Sequence, residues 1–98
     1  MDWLRILLRQ CNVGDESALD QFDVLYGGVV ELPVRGVVAR YFPLGLDQLT
    51  YLMLVSFCKI NIFRNGDKLT NRPGDPHDVI ENYVAKLSDK WIRKQYRL

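Results

Sequence analysis

Few residues in this chain have chemistry to offer: one histidine, two cysteines, and twelve carboxylates spread along its length. His77 stands between Pro76 and Asp78, with Asp75 two residues before it. An imidazole flanked by carboxylates is the arrangement a general acid or base needs. A cysteine nucleophile would require the fold to bring Cys11 or Cys58 to that histidine, and nothing in the sequence links them. The two cysteines are far apart, so they make neither a redox Cys-x-x-Cys nor half of a zinc site. Each lies in an apolar stretch, Cys11 after Leu7 and Leu8 and Cys58 between Phe57 and Ile60. Buried free thiols are the expectation, with one long-range disulfide as the alternative. Ser17, Ser56 and Ser88 lie in no nucleophile elbow, and Gly27-Gly28 lacks the spacing of a nucleotide cradle. The sequence therefore predicts no enzyme, no cofactor and no metal site.

Charge offers more. The formal net charge is only +1 over 98 residues, yet it is distributed in blocks. Residues 11–28 carry −4, residues 74–84 carry −3, and residues 85–98 carry +4. In that last block Lys86, Lys90, Arg93, Lys94 and Arg97 outweigh Asp89, with Trp91 and Tyr96 interleaved. Clustered cations beside aromatics suit phosphate groups, whether of nucleic acid or of a lipid headgroup. Acids first and bases last is also what the helix dipole favours in any helix. A dedicated nucleic-acid domain has a pI above about 9, whereas this chain has a pI near 7.8.

These residues need elements to hold them. Leu4, Leu7, Leu8 and Cys11 repeat at helical steps, predicting a first helix capped by Asp2 and stopped by Asn12-Val13-Gly14. Asp15 opens a second helix through Ala18, Leu19, Phe22 and Leu25, which Gly27-Gly28 should break. From Val29 to Phe42 the β-branched valines predict extended chain, with Pro33 at an edge or bulge. Asp47 caps a third helix, with Leu46, Leu49, Leu52, Met53 and Phe57 on one face, running to about Ser56. Cys58, Ile60 and Ile62 then alternate as in a strand. Asn65-Gly66 reads as a type I′ hairpin turn, with Lys68 to Thr70 returning. Asp75-Pro76 is an N-cap followed by proline at the first helical position. It opens a last helix with Ile80, Tyr83, Val84, Leu87 and Trp91 along one side, a stripe that Ile92 can extend.

The resulting expectation is a single α+β domain spanning 1–98, a small antiparallel sheet in the Val29 to Thr70 region packed by N- and C-terminal amphipathic helices. No run of apolar residues approaches the roughly 20 that span a bilayer, and the N-terminus has no secretory pattern, so an intracellular, cytoplasmic protein is expected. Eleven per cent of residues are aromatic, more than so short a chain can bury, which predicts large side chains left outside the core. Trp3, Phe42, Tyr51, Phe63, Trp91 and Tyr96 are the candidates for an interface. The functional expectation is a non-catalytic protein–protein interaction module that self-associates as a homo-oligomer, of adaptor, inhibitor or viral accessory or structural type. The alternative is a peripheral binder of anionic surfaces, membrane or nucleic acid, through Lys86, Lys90, Arg93, Lys94 and Arg97.

Overall fold

The computed structural model describes residues 3–98, and every regular element among them is a helix. In order these are α1 (Trp3–Asn12), α2 (Glu16–Tyr41), α3 (Gln48–Arg64), α4 (Gly66–Thr70) and α5 (Pro76–Tyr96). The expected α+β fold is thus corrected to all-α, with no strand among the described residues.

Three carboxylates begin the long helices. Asp15 accepts a hydrogen bond from the Ala18 amide, Asp47 from the Thr50 amide, and Asp75 from the His77 amide. Each satisfies a donor that the first turn leaves without an intrahelical partner. The expected Asp2 cap lies outside the described residues. α1 ends in a Schellman turn: Gly14, at φ 83°, donates to Cys11 O, and the Asp15 amide donates to Gln10 O at 3.2 Å. The positive φ explains the glycine. It delivers the chain directly to the Asp15 cap.

The segment expected to be a sheet is the second half of α2. Gly27-Gly28 does not break it, and Pro33 lies inside it. Val30, Val34, Val37 and Val38 are all buried, a spacing of four, three and one that only a helix puts on one face. Valine's helix penalty is under about 1 kcal/mol per residue, and burying its side chain returns roughly 1.5 kcal/mol or more. Tertiary burial therefore outweighs the β preference that the residue types suggest.

α3 also continues where a strand was expected. Leu54, Val55, Cys58 and Ile62 are its buried face, while Ile60, which seemed to alternate with them, is exposed. Asn65 is no hairpin residue: its φ is −113°, and Gly66 begins α4 without a positive φ. The Asn65 side chain donates to Asn61 O at 2.9 Å and to the Tyr83 hydroxyl at 3.1 Å, closing the end of α3 and joining it to α5. Lys68 to Thr70 belong to α4, not to a return strand.

Cross-element pairs set the topology. Asp23 meets Lys59, Phe22 meets Phe63, and Glu31 meets Tyr51, so α2 and α3 run antiparallel. Asn65 with Tyr83 and Cys58 with Ser88 make α3 and α5 antiparallel as well. Tyr26 with His77 and Tyr41 with Asp89 make α2 and α5 parallel. The result is an up-down-up bundle of α2, α3 and α5, with α1 and α4 packed across one end. At 1.5 Å per residue the 26-residue α2 is about 39 Å long, matching the 40 Å long axis of the molecule.

Candidate functional site

The chemistry suggested by the sequence does not converge. The His77 ring lies on the surface, its Nδ1 3.3 Å from Asp75 Oδ1 and its edge against the Tyr26 ring at 5.5 Å. Both thiols are buried. Burial, with the charges of Asp15 and Asp23 behind it, pushes the Cys11 thiol up to about 11. Burial also raises Cys58, partly offset by its contact with the Ser88 hydroxyl at 3.6 Å. A thiol held neutral in this way is a poor nucleophile at neutral pH. Among the described residues no group of three or more His, Cys, Asp or Glu side chains is placed to hold a metal ion.

The expected cations lie at helical spacing on the solvent side of α5, opposite the buried stripe of Ile80, Val84, Ser88 and Ile92. Arg93 is already engaged: its Nε donates to the Tyr41 hydroxyl at 3.0 Å and lies 3.2 Å from Asp89 Oδ2. The Tyr41 hydroxyl in turn donates to Asp89 Oδ1. These neighbours, Tyr41 first and then Asp89, hold the guanidinium above its ordinary pKa. Lys86 lines a shallow recess with Arg40, Asp89 and Arg93, so a carboxylate lies among the bases there. Lys90 and Lys94 border α3 instead. Arg97 caps α5 in the left-handed region at φ 54°.

Of the six aromatics expected at an interface, four make contacts within the fold. Phe63 meets Phe22 edge to face at 5.3 Å, and Phe42 packs on Tyr96 at 4.9 Å. The Tyr51 hydroxyl accepts from Arg35 Nε at 3.3 Å and donates to Glu31 at 3.4 Å. Trp3 and Tyr96 are exposed at opposite ends of the chain. Trp91 lines a groove.

That groove is the main surface feature, and most of its α3 lining was expected on one face of the third helix, with nothing in the sequence to say whether that face is covered. Leu49, Leu52, Met53 and Ile60 project outward from α3, with Leu49 69% and Met53 55% exposed. With Phe57 and Trp91 they line an open hollow of about 530 Å³ between α3 and α5. Phe57, Trp91 and Gln95 continue it into a second hollow of about 390 Å³, flanked by Lys90 and Lys94. The spacing 49, 52, 53, 56, 60 was the signal for one face. Leu54, Val55, Cys58 and Ile62 were the signal for another, and α3 carries both. A helix apolar all round is ordinarily buried all round. Here only half of α3 is covered by its own chain.

An all-α bundle with one unpartnered apolar helix face defines the class of structure. No protein-family model, curated protein or solved structure matches the chain. Among the described residues no helix is long and apolar enough to cross a membrane.

Proposed function

We propose that this protein is a non-catalytic interaction module that self-associates through the outward face of α3. The observation that carries the reading is the second apolar stripe of that helix, Leu49, Leu52, Met53 and Ile60, left in water beside Trp91. Contiguous exposed apolar surface on a small domain marks a binding face, because leaving it hydrated forgoes roughly 25 cal/mol for each Å² that a partner would cover. Scattered apolar residues would carry no such meaning; these four share one helix face and one groove. A flat apolar helix face with a tryptophan at its edge is suited to another protein surface, and aromatic anchors of this kind dominate binding energy.

The basic stripe of α5 supports an anionic-surface role less well. Arg93 is committed to Tyr41 and Asp89, and Asp89 lies among the cations it would have to share with a phosphate. An intracellular, reducing compartment suits two buried reduced thiols, and it forms part of the same reading.

The test is the molar mass in solution, by light scattering or sedimentation, from micromolar to millimolar chain. The expected result is a mass that rises with concentration and returns to that of one chain in the double variant Leu52→Glu with Met53→Glu. Both positions are exposed, so the variant retains its helical circular dichroism. A wild-type chain that stays monomeric throughout the range overturns the reading.

A further inference from the structure

We infer that the occupant of the α3 and α5 groove is a second copy of this chain docked head to tail, presenting the acidic ridge of its α2. The inference deepens the self-association reading and rests on it.

The groove has a stated chemistry. Its floor is apolar, from Leu49, Leu52, Met53, Ile60 and Trp91, and its far end is flanked by Lys90 and Lys94. Lys59, on α3 itself, is paired with Asp23 at 3.0 Å, which leaves Lys90 and Lys94 as the cations at the lip. The complementary surface is an apolar stripe bordered by carboxylates. One exists on this chain. No lysine or arginine occurs between Arg9 and Arg35; of the acids from Asp15 to Asp23, Asp15 caps α2 and Asp23 pairs with Lys59, which leaves Glu16 and Asp20. Within that stretch Ser17, Asp20, Gln21, Val24 and Leu25 share one outward strip of α2, and Val24 is 83% exposed. Spacings of three, four, seven and eight residues are how a helix presents itself to a groove.

Charge decides between the two ways of pairing copies. A two-fold contact of α3 face on α3 face would offer Lys90 and Lys94 no carboxylate to meet, because no acid lines either hollow of that face. Seating the α2 ridge in the groove brings Asp20 toward those lysines and covers Val24 and Leu25 as well. Ridge and groove share no residue, so one copy can engage a neighbour through each. A contact of this type is heterologous. It closes as a ring or continues as a filament, and it weakens as salt screens the charges.

The experiment uses two variants of the full chain, one blocked at the groove by Met53→Glu and one blocked at the ridge by Asp20→Lys with Val24→Lys. All three positions are exposed, so circular dichroism and Tm serve as controls for folding. Each variant alone is expected to run as a monomer at concentrations where the wild type assembles. An equimolar mixture is expected to give a 1:1 heterodimer and nothing larger, because only one intact ridge and one intact groove remain to meet. Raising sodium chloride from low to molar concentration is expected to weaken that heterodimer at least tenfold. A mixture that stays monomeric, or a ridge variant that assembles like the wild type, overturns the head-to-tail contact while leaving self-association standing. A wild type that never assembles overturns both. Wild-type chain that remains monomeric but binds phosphatidylserine vesicles, with Met53→Glu abolishing the binding, assigns the groove to a lipid surface and overturns the inference.

Discussion

Gly66 is buried against the backbone of Leu8: a methyl group on its Cα would overlap the Leu8 carbonyl oxygen and reach 3.1 Å from the Asn12 Cβ. The glycine is therefore there for close approach between α1 and α4, not for a left-handed turn. The Asp67 amide reaches Asn12 Oδ1 across the same contact at 3.4 Å. Gly66→Ala is expected to push the two helices apart at a cost of about 1–3 kcal/mol, the usual penalty for forcing a methyl into packed backbone. For a domain of this size that lowers Tm by roughly 4–8 °C per kcal/mol. A thermal melt unchanged within a degree would mean that α1 and α4 do not meet as described.

The Tyr41 hydroxyl joins α2 to α5 at the far end of the bundle, donating to Asp89 and accepting from Arg93. Tyr41→Phe keeps the ring and removes both hydrogen bonds. The expected loss is about 1 kcal/mol, because the partners remain partly hydrated and recover water in the variant. A double-mutant cycle of Tyr41→Phe with Asp89→Asn measures the coupling directly. Purely additive effects would show that the contact contributes nothing to stability.

The helix starts and the buried stripe of α1, with Ile80 and Val84 of α5, could be read from the sequence; the continuations of α2 and α3 could not. Asp15, Asp47 and Asp75 mark helix starts because a short carboxylate before an apolar stripe meets a local need, and local needs are visible in local sequence. The sheet expectation failed where residue type and residue spacing disagreed. Val29 to Val38 looks extended by type, while Val30, Val34, Val37 and Val38 are helical by spacing, and spacing records burial. Asn65-Gly66 failed for a related reason: the dipeptide that suits a hairpin turn was serving contacts with Tyr83 and Leu8, both distant in sequence. The candidate surface was hidden by the same ambiguity. Leu49, Leu52 and Met53 were readable as one face, but which face of α3 turns inward depends on where α2 and α5 lie.

Glycine and proline inside α2 give a direct measure of its helical state. A Cβ added at Gly28 or at Gly36 would meet nothing within 4 Å. In a helix, Gly28→Ala and Gly36→Ala are each expected to raise stability by up to about 1 kcal/mol. Pro33 lacks the amide hydrogen that would reach the Val29 carbonyl, and, half-buried, it lines a shallow hollow with Glu81 and Ala85 of α5. Pro33→Ala restores that bond at the expense of some packing, so a gain below the roughly 3 kcal/mol helix penalty of proline is expected. Denaturant midpoints at constant m-value provide the measurement. Destabilisation by all three substitutions would contradict a continuous helix over Glu16–Tyr41.

The buried thiols predict how stability depends on alkaline pH. Burial lifts Cys11 from an ordinary 9.0 to about 11 and raises Cys58 in the same direction. A group whose folded pKa is raised holds its proton in the folded chain and releases it more readily in the unfolded one. Its stabilising contribution is complete below pH 9 and falls as pH rises from there through about 11. Urea unfolding from pH 8 to pH 10.5 is therefore expected to show a declining midpoint, and Cys11→Ala with Cys58→Ala is expected to make that decline shallower. The difference between the two chains is the quantity that isolates the thiols. Both cysteines are also expected to resist a water-soluble thiol reagent at pH 8 in the folded chain and to react within minutes once it is unfolded. Rapid labelling of Cys58 in native conditions would be incompatible with its place against Ser88 between α3 and α5.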